Sequence, residues 1–159
     1  MTKKHPLPIL ILLIITACSP DPCGELYLRR PNPHLDEVRT YLKTSDGDRL
    51  TDNFYTGRCG NYNTEGILLS IQKYQDGLDH GKWKFFYEKG QLETVGRFEK
   101  GKRDGEWKYY HQDGGLKQTS NYKNGDRYGI WTKYNKEGEI VWEESYSDGE
   151  KVDSLQKEL

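Results

Sequence analysis

The amino-acid sequence predicts an all-β fold, an elongated single-layer antiparallel sheet built from successive β-hairpins. Three observations carry that expectation. Glycines and aromatic residues recur every 24 residues between Gly57 and Gly149. The segments between glycine turns are about six to eight residues long, which suits strands and leaves helices no room. All six prolines lie at or before Pro33, so nothing in the repeating part removes a ladder hydrogen bond.

The start of the chain reads as an export signal. Lys3 and Lys4 give a basic beginning, and Leu7 to Ile15 form a short apolar run interrupted by Pro8. That run is shorter than the ~20 residues a spanning helix needs, but it fits the apolar core of a signal peptide. The residues Ile15-Thr16-Ala17-Cys18 resemble a lipobox. The resemblance implies cleavage after Ala17, a signal peptide over residues 1–17, and a diacylglyceryl thioether on Cys18. Acyl chains contribute ~0.8 kcal/mol per buried CH₂, so two or three of them anchor a protein durably to a membrane. Ser19 is not the aspartate that tends to retain enteric lipoproteins in the inner membrane, so the outer membrane is the favoured address, with the protein facing periplasm or surface.

Residues 18–33 carry Ser-Pro-Asp-Pro and read as a flexible tether. Apart from Cys18, the cysteines are Cys23 and Cys59. In an oxidising compartment an even pair reads as a disulfide. The alternatives are two free thiols or a metal pair, and His34, His80 and His111 lack ligand spacing to the cysteines. Residues 34–56 are expected to cap the array as a degenerate hairpin. Leu35 to Thr44 suits a short helix or a strand, Asp46-Gly47 offers a turn, and Gly47 to Tyr55 repeats the spacing from Gly66 to Tyr74.

The repeat itself occupies residues 57–152 as four gapless units, 57–80, 81–104, 105–128 and 129–152. Gly66, Gly90, Gly114 and Gly138 share one slot, and Gly77, Gly101, Gly125 and Gly149 another. Trp83, Trp107 and Trp131 share a third, where the first unit has Cys59. Tyr74, Phe98, Tyr122 and Tyr146 share a fourth, and Tyr62, Phe86, Tyr110 and Tyr134 a fifth. Charged residues before turn glycines, as in Asp113-Gly114, supply hairpin turns with positive φ. In the second strand of each unit the Leu/Ile slot and the aromatic slot are six residues apart and so point to one face. In the first strand the Trp and aromatic slots differ by three. Either a bulge intervenes or both faces carry rings. Residues 153–159 form a polar tail.

The stretch Gly81-Lys-Trp-Lys-Phe-Phe-Tyr-Glu-Lys-Gly-Gln-Leu92, continuing to Phe98-Glu-Lys-Gly101, resembles the MORN (membrane occupation and recognition nexus) repeat. It is most similar to the bacterial variant, with its tryptophan and Tyr-x-x-Gly turn. The resemblance covers residues 57–152 and implies an all-β hairpin array. Bacterial members are often labelled antitoxins, which suits an exported, lipid-anchored chain poorly. The departure at Cys59 points to a first unit specialised for capping.

Composition narrows the function classes. Removing residues 1–17 leaves 22 basic and 25 acidic residues, a formal charge of −3. Nothing in the linear sequence looks like the basic stripe that a phosphate backbone requires, so no nucleic-acid partner is expected. Aliphatic content is modest, but twelve Tyr and four Trp supply ring faces to bury. No Gly-x-Ser-x-Gly, His-Glu-x-x-His or phosphate-cradling Gly-x-x-x-x-Gly-Lys-Ser/Thr occurs, so no catalytic residue, metal or cofactor is expected. The feature with functional potential is the row of Trp83, Trp107 and Trp131 with Phe86, Tyr110 and Tyr134. Packing inside a structural ladder is the favoured reading, and display to a partner is the alternative. The expected function is a lipid-tethered, non-enzymatic interaction module for another envelope or secreted protein. An immunity-like inhibitor of a secreted toxin and a carbohydrate-associated surface protein are the competing readings.

Overall fold

A computed structural model describes residues 21–22, 27–32, 37–43 and 50–156, with side chains from Phe54 to Ser154. Cys18, Cys23 and the signal segment lie outside the described residues. Among those described there is no helix. The strands are β1 (Asp21–Pro22), β2 (Tyr27–Asn32), β3 (Glu37–Lys43), β4 (Leu50–Phe54), β5 (Gly57–Tyr62), β6 (Leu68–Gln75), β7 (Leu78–Asp79) and β8 (Gly81–Phe86). They continue with β9 (Leu92–Glu99), β10 (Lys102–Tyr110), β11 (Leu116–Lys123), β12 (Asp126–Arg127), β13 (Gly129–Tyr134), β14 (Ile140–Ser147) and β15 (Glu150–Gln156).

Twelve strands form one open sheet; from β5 to β15 they are laid down in chain order with every pair antiparallel, the two-residue β7 and β12 pairing back onto β6 and β11 beside β8 and β13. The two-residue β1 adds in parallel to the outer side of β5, with Asp21 opposite Cys59. A separate sheet pairs β2, β3 and β4, so 37–43 is strand rather than helix. Two strands, β1 and β2, fall inside the stretch expected to be a flexible tether, and β15 runs into the expected polar tail.

Two kinds of turn alternate, and each explains its glycine. Within a unit, Asn63, Tyr87, His111 and Asn135 each accept a hydrogen bond from the glycine three residues on and donate to the carbonyl four residues on. The glycine sits at positive φ, from +78° to +93°. Between units the loop has two residues, both left-handed: Asp76-Gly77, Lys100-Gly101, Asn124-Gly125 and Asp148-Gly149. This is the type I′ pattern, whose twist matches that of the flanking strands.

Each hairpin carries a bulge, one of the two alternatives the spacing left open, and its extra residue falls in the second strand, at Leu69, Glu93, Lys117 and Val141. The register slips between Asn61 and Tyr62, Phe85 and Phe86, Tyr109 and Tyr110, and Lys133 and Tyr134. The bulge does not bring the fifth slot onto the Trp face. Tyr110 lines a groove with Lys108 and Glu106, which alternate with Trp107 and point the other way. Bulge and second ring row therefore coexist.

The core is a single file of rings on one face of the sheet. Centroids follow one another from Tyr55 to Tyr74 (5.8 Å), Trp83 (5.5 Å), Phe98 (4.7 Å), Trp107 (5.1 Å), Tyr122 (6.2 Å), Trp131 (5.1 Å) and Tyr146 (5.3 Å). Successive rings are tilted or edge-on, the arrangement their quadrupoles favour. Each indole is also pinned. Trp83, Trp107 and Trp131 Nε1 donate to the carbonyls of Lys73, Arg97 and Asn121, each ten residues back in the preceding unit. One residue type thus supplies both the ring contact and the stitch between units.

Candidate interaction surface

The tryptophans are structural. Trp83, Trp107 and Trp131 are 4%, 1% and 8% exposed, so they form the core of the ladder and are not displayed to a partner. Phe86, Tyr110 and Tyr134 are half-buried. Tyr110 is held from the side, its carbonyl accepting a hydrogen bond from the Tyr87 hydroxyl. Sequence spacing grouped these six rings as one candidate face, whereas Trp107 and Tyr110 lie on opposite faces of β10.

Cys59 is fully buried at the ladder's first tryptophan position and is disulfide-bonded. Its partner cysteine lies outside the described residues. The ladder closes at this end on Tyr55. Tyr55 does not take the slot of Tyr74, as its distance from Gly47 suggested. Its carbonyl accepts from Gly77 N as those of Asp79, Arg103 and Arg127 accept from Gly101, Gly125 and Gly149. It therefore occupies their slot, one period before Asp79.

That slot has a second role in the later units. The Arg103 guanidinium lies 4.4 Å from the Trp107 ring and 5.2 Å from the Tyr122 ring, and donates to the Tyr122 hydroxyl at 2.9 Å. Arg127 does the same over Trp131 and Tyr146. In the second unit Phe98 has no hydroxyl to accept, and the slot holds Asp79 instead of arginine. These arginines cover the open side of the ladder, and sequence reasoning missed them. The signal was present as Arg103 and Arg127, 24 apart.

Electrostatics on the ladder face are local. Burial, and secondarily the neighbouring Tyr122, pushes the Tyr109 phenol up to about 12. A hydrogen bond from the Tyr146 hydroxyl holds the Glu144 carboxyl below its ordinary value, helped by Lys151. Among the described residues no three His, Cys, Asp or Glu side chains come together as metal ligands. His80 sits 3.8 Å from Glu99, while His111 occupies the first position of a turn. The two histidines are not brought together.

The opposite face carries four outward slots per unit, fixed by cross-strand register. In the first unit they are Arg58, Gly60, Ile71 and Lys73. In the second they are Lys82, Lys84, Val95 and Arg97. The third has Glu106, Lys108, Thr119 and Asn121, and the fourth Ile130, Thr132, Glu143 and Ser145, of which Thr132 is buried. The ladder slots stay nearly constant while these drift from basic to neutral or acidic. A near-neutral chain therefore hides a polarised face.

Comparison with known proteins agrees with the repeat. The family described as "MORN repeat variant" matches residues 79–100 and 103–124, two segments one period apart. No curated protein matches. Among solved structures, a chain from "Crystal structure of accessory secretory protein 1,2 and 3 in Streptococcus pneumoniae" is similar at 14% identity and a TM-score of 0.36. The match covers 67% of this chain and 20% of that one, and at this level it carries nothing about function. The matched segments, 79–100 and 103–124, are MORN-variant repeats, and the same period, glycine turns and ring slots continue on either side of them.

Proposed function

We propose that the protein is a lipid-anchored envelope component whose MORN-variant array acts as a non-enzymatic protein-interaction module. The observation that carries this reading is the division of labour between faces. One face spends its rings and arginines on holding hairpin to hairpin, and the other presents slots that vary from unit to unit on a fixed frame. Such a surface suits recognition, because outward side chains change without disturbing the core. The grooves on the outward face are lined mainly by cations and aliphatic side chains, which suits binding. The lipobox-like Ile15-Thr16-Ala17-Cys18 supports the anchor, and Cys23 is the proposed partner of Cys59, since Asp21–Pro22 runs beside Cys59–Gly60.

A photo-crosslinking amino acid placed at Lys84 in the full chain, expressed in its own host, tests the module. A discrete protein adduct, absent when the crosslinker replaces the buried Trp107, is expected. Adducts at neither Lys84 nor any other outward slot would remove the reading. An adduct with a secreted toxin would specify an immunity role. The anchor has its own test: radiolabelled palmitate is expected to enter the wild type and not Cys18→Ser.

A further inference from the structure

Building on the interaction module proposed above, we infer that the outward face of the first two units docks an extended acidic protein segment in which carboxylates alternate with apolar side chains. Arg58 stands directly opposite Lys73, and Lys82 directly opposite Arg97. Like charges in cross-strand pairs are destabilising, and opposite charges would be the stabilising choice. Among the described residues, Arg58, Lys73, Lys82 and Lys84 make no ion pair, whereas Arg97 is held by Glu99 at 2.8 Å and Lys108 by Glu106 at 2.9 Å. The repulsion is thus confined to one patch. The third and fourth units show that the same slots accept Glu106, Asn121, Ile130 and Ser145. The frame does not demand cations here.

Geometry narrows the occupant. Lys82 and Lys84 are two residues apart on one strand, so they point to the same face about 7 Å apart. Carboxylates at alternate positions of an extended chain have the same spacing. Arg58, Lys73, Lys82 and Lys84 ring a groove of about 430 Å³ into which Ile71 also faces. A second groove, sharing Lys82, has Val95 in the matching position. Aliphatic side chains beneath a rim of cations offer little to a phosphate polymer or a headgroup layer. They offer burial to the apolar side chains of an alternating acidic peptide. Complementary charge would also speed encounter and make it salt-dependent.

The test uses the full chain in detergent and a fluorescein-labelled peptide alternating glutamate with valine, read by anisotropy. Oligoglutamate, oligo-dT and phosphatidylglycerol vesicles are the competing probes. Saturable binding of the alternating peptide is expected, with the double reversal Lys82→Glu/Lys84→Glu weakening it by roughly tenfold or more. The reversal Lys133→Glu/Lys136→Glu, in the fourth unit, is expected to leave it unchanged. Should the first reversal misfold by circular dichroism, Arg58→Gln/Lys73→Gln replaces it with the same expected direction. Absence of peptide binding, equal loss in the fourth-unit control, or tighter binding of oligoglutamate, oligo-dT or vesicles would each overturn the inference. If the peptide fails while an Arg58→Gln/Lys73→Gln chain with the crosslinker at Lys84 still forms its adduct, the module stands and the basic face is not its docking site. If the peptide binds and no adduct forms at any outward slot, the module itself falls.

Discussion

Gly96 makes room for Trp107. A Cβ built on Gly96 would lie 2.1 Å from Trp107 Cδ2, inside the indole of the following unit. The equivalent position holds Gln72, Ser120 or Glu144 in the other units, so the glycine answers a local need. Gly96→Ala is expected to destabilise the fold by about 1–3 kcal/mol, the range for overpacking a tight core. Adding Trp107→Phe should recover part of that loss, because a smaller ring leaves space. Chemical denaturation of the single and double variants measures both, and simple additivity would show that the two residues are not coupled.

Trp107 is the most buried indole and sits mid-ladder, with Phe98 at 5.1 Å and Tyr122 at 6.2 Å. Trp107→Ala is expected to cost about 3–5 kcal/mol. Trp107→Phe keeps a ring but loses the Nε1 bond to the Arg97 carbonyl, adding about 1 kcal/mol to the volume cost. A smaller effect of Trp107→Ala than of Trp131→Ala, nearer the end of the ladder, would contradict the mid-ladder assignment.

Arg103 and Arg127 each cover two rings of the ladder. Arg103→Met, which keeps an unbranched stem, is expected to destabilise by about 1 kcal/mol through loss of the cation–π contact. The same change at exposed Arg58, which lies over no ring among the described residues, should be near neutral. Thermal melts of the two variants decide between a structural arginine and an ordinary surface one.

Lys100 occupies the first central position of a type I′ turn at φ +50°, where the third-unit turn has Asn124 at +53°. Asparagine tolerates this region better than a long side chain. Lys100→Asn is expected to raise stability by roughly 0.5 kcal/mol, read as a higher denaturation midpoint. A lower midpoint would mean that the Lys100 side chain contributes contacts of its own.

The Tyr109 phenol, pushed up to about 12, links stability to alkaline pH. Its folded value exceeds its ordinary one of 10, so its contribution is complete below pH 10 and is lost as pH rises towards 12. Tyr109→Phe should flatten that window, and tyrosinate absorbance should show one fewer late-titrating phenol. Glu99 and Glu144 act with the opposite sign. Both carboxyls are held below 4.5, so their contribution is present above that pH and lost as pH falls through the lower folded values. Glu144→Gln is expected to reduce the steepness of acid unfolding.

The repeat units, the two sets of glycine turns and the ring slots were legible because each is a local property that recurs at a fixed interval. The expectation that packing, not display, occupies the tryptophans followed from the same regularity. Other features were not legible, for identifiable reasons. Tyr55 shares its distance from Gly47 with the Gly66–Tyr74 pair, and only the hydrogen bond from Gly77 shows that its true slot is that of Arg103. Whether Trp107 and Tyr110 share a face stayed open, because a bulge is invisible until the partner strand's register is known. The cations of the first two units escaped notice because they are interleaved with ladder residues and diluted by the acids of the turns.

By itself, the sequence determined that hairpin would follow hairpin, since left-handed turn positions and constant ring spacing are set by neighbours along the chain. Which face became core, and which four slots per unit were turned outward to gather Arg58, Lys73, Lys82 and Lys84, was decided only by tertiary structure. Facing depends on inter-strand register and bulge position, and these arise when separate segments pair.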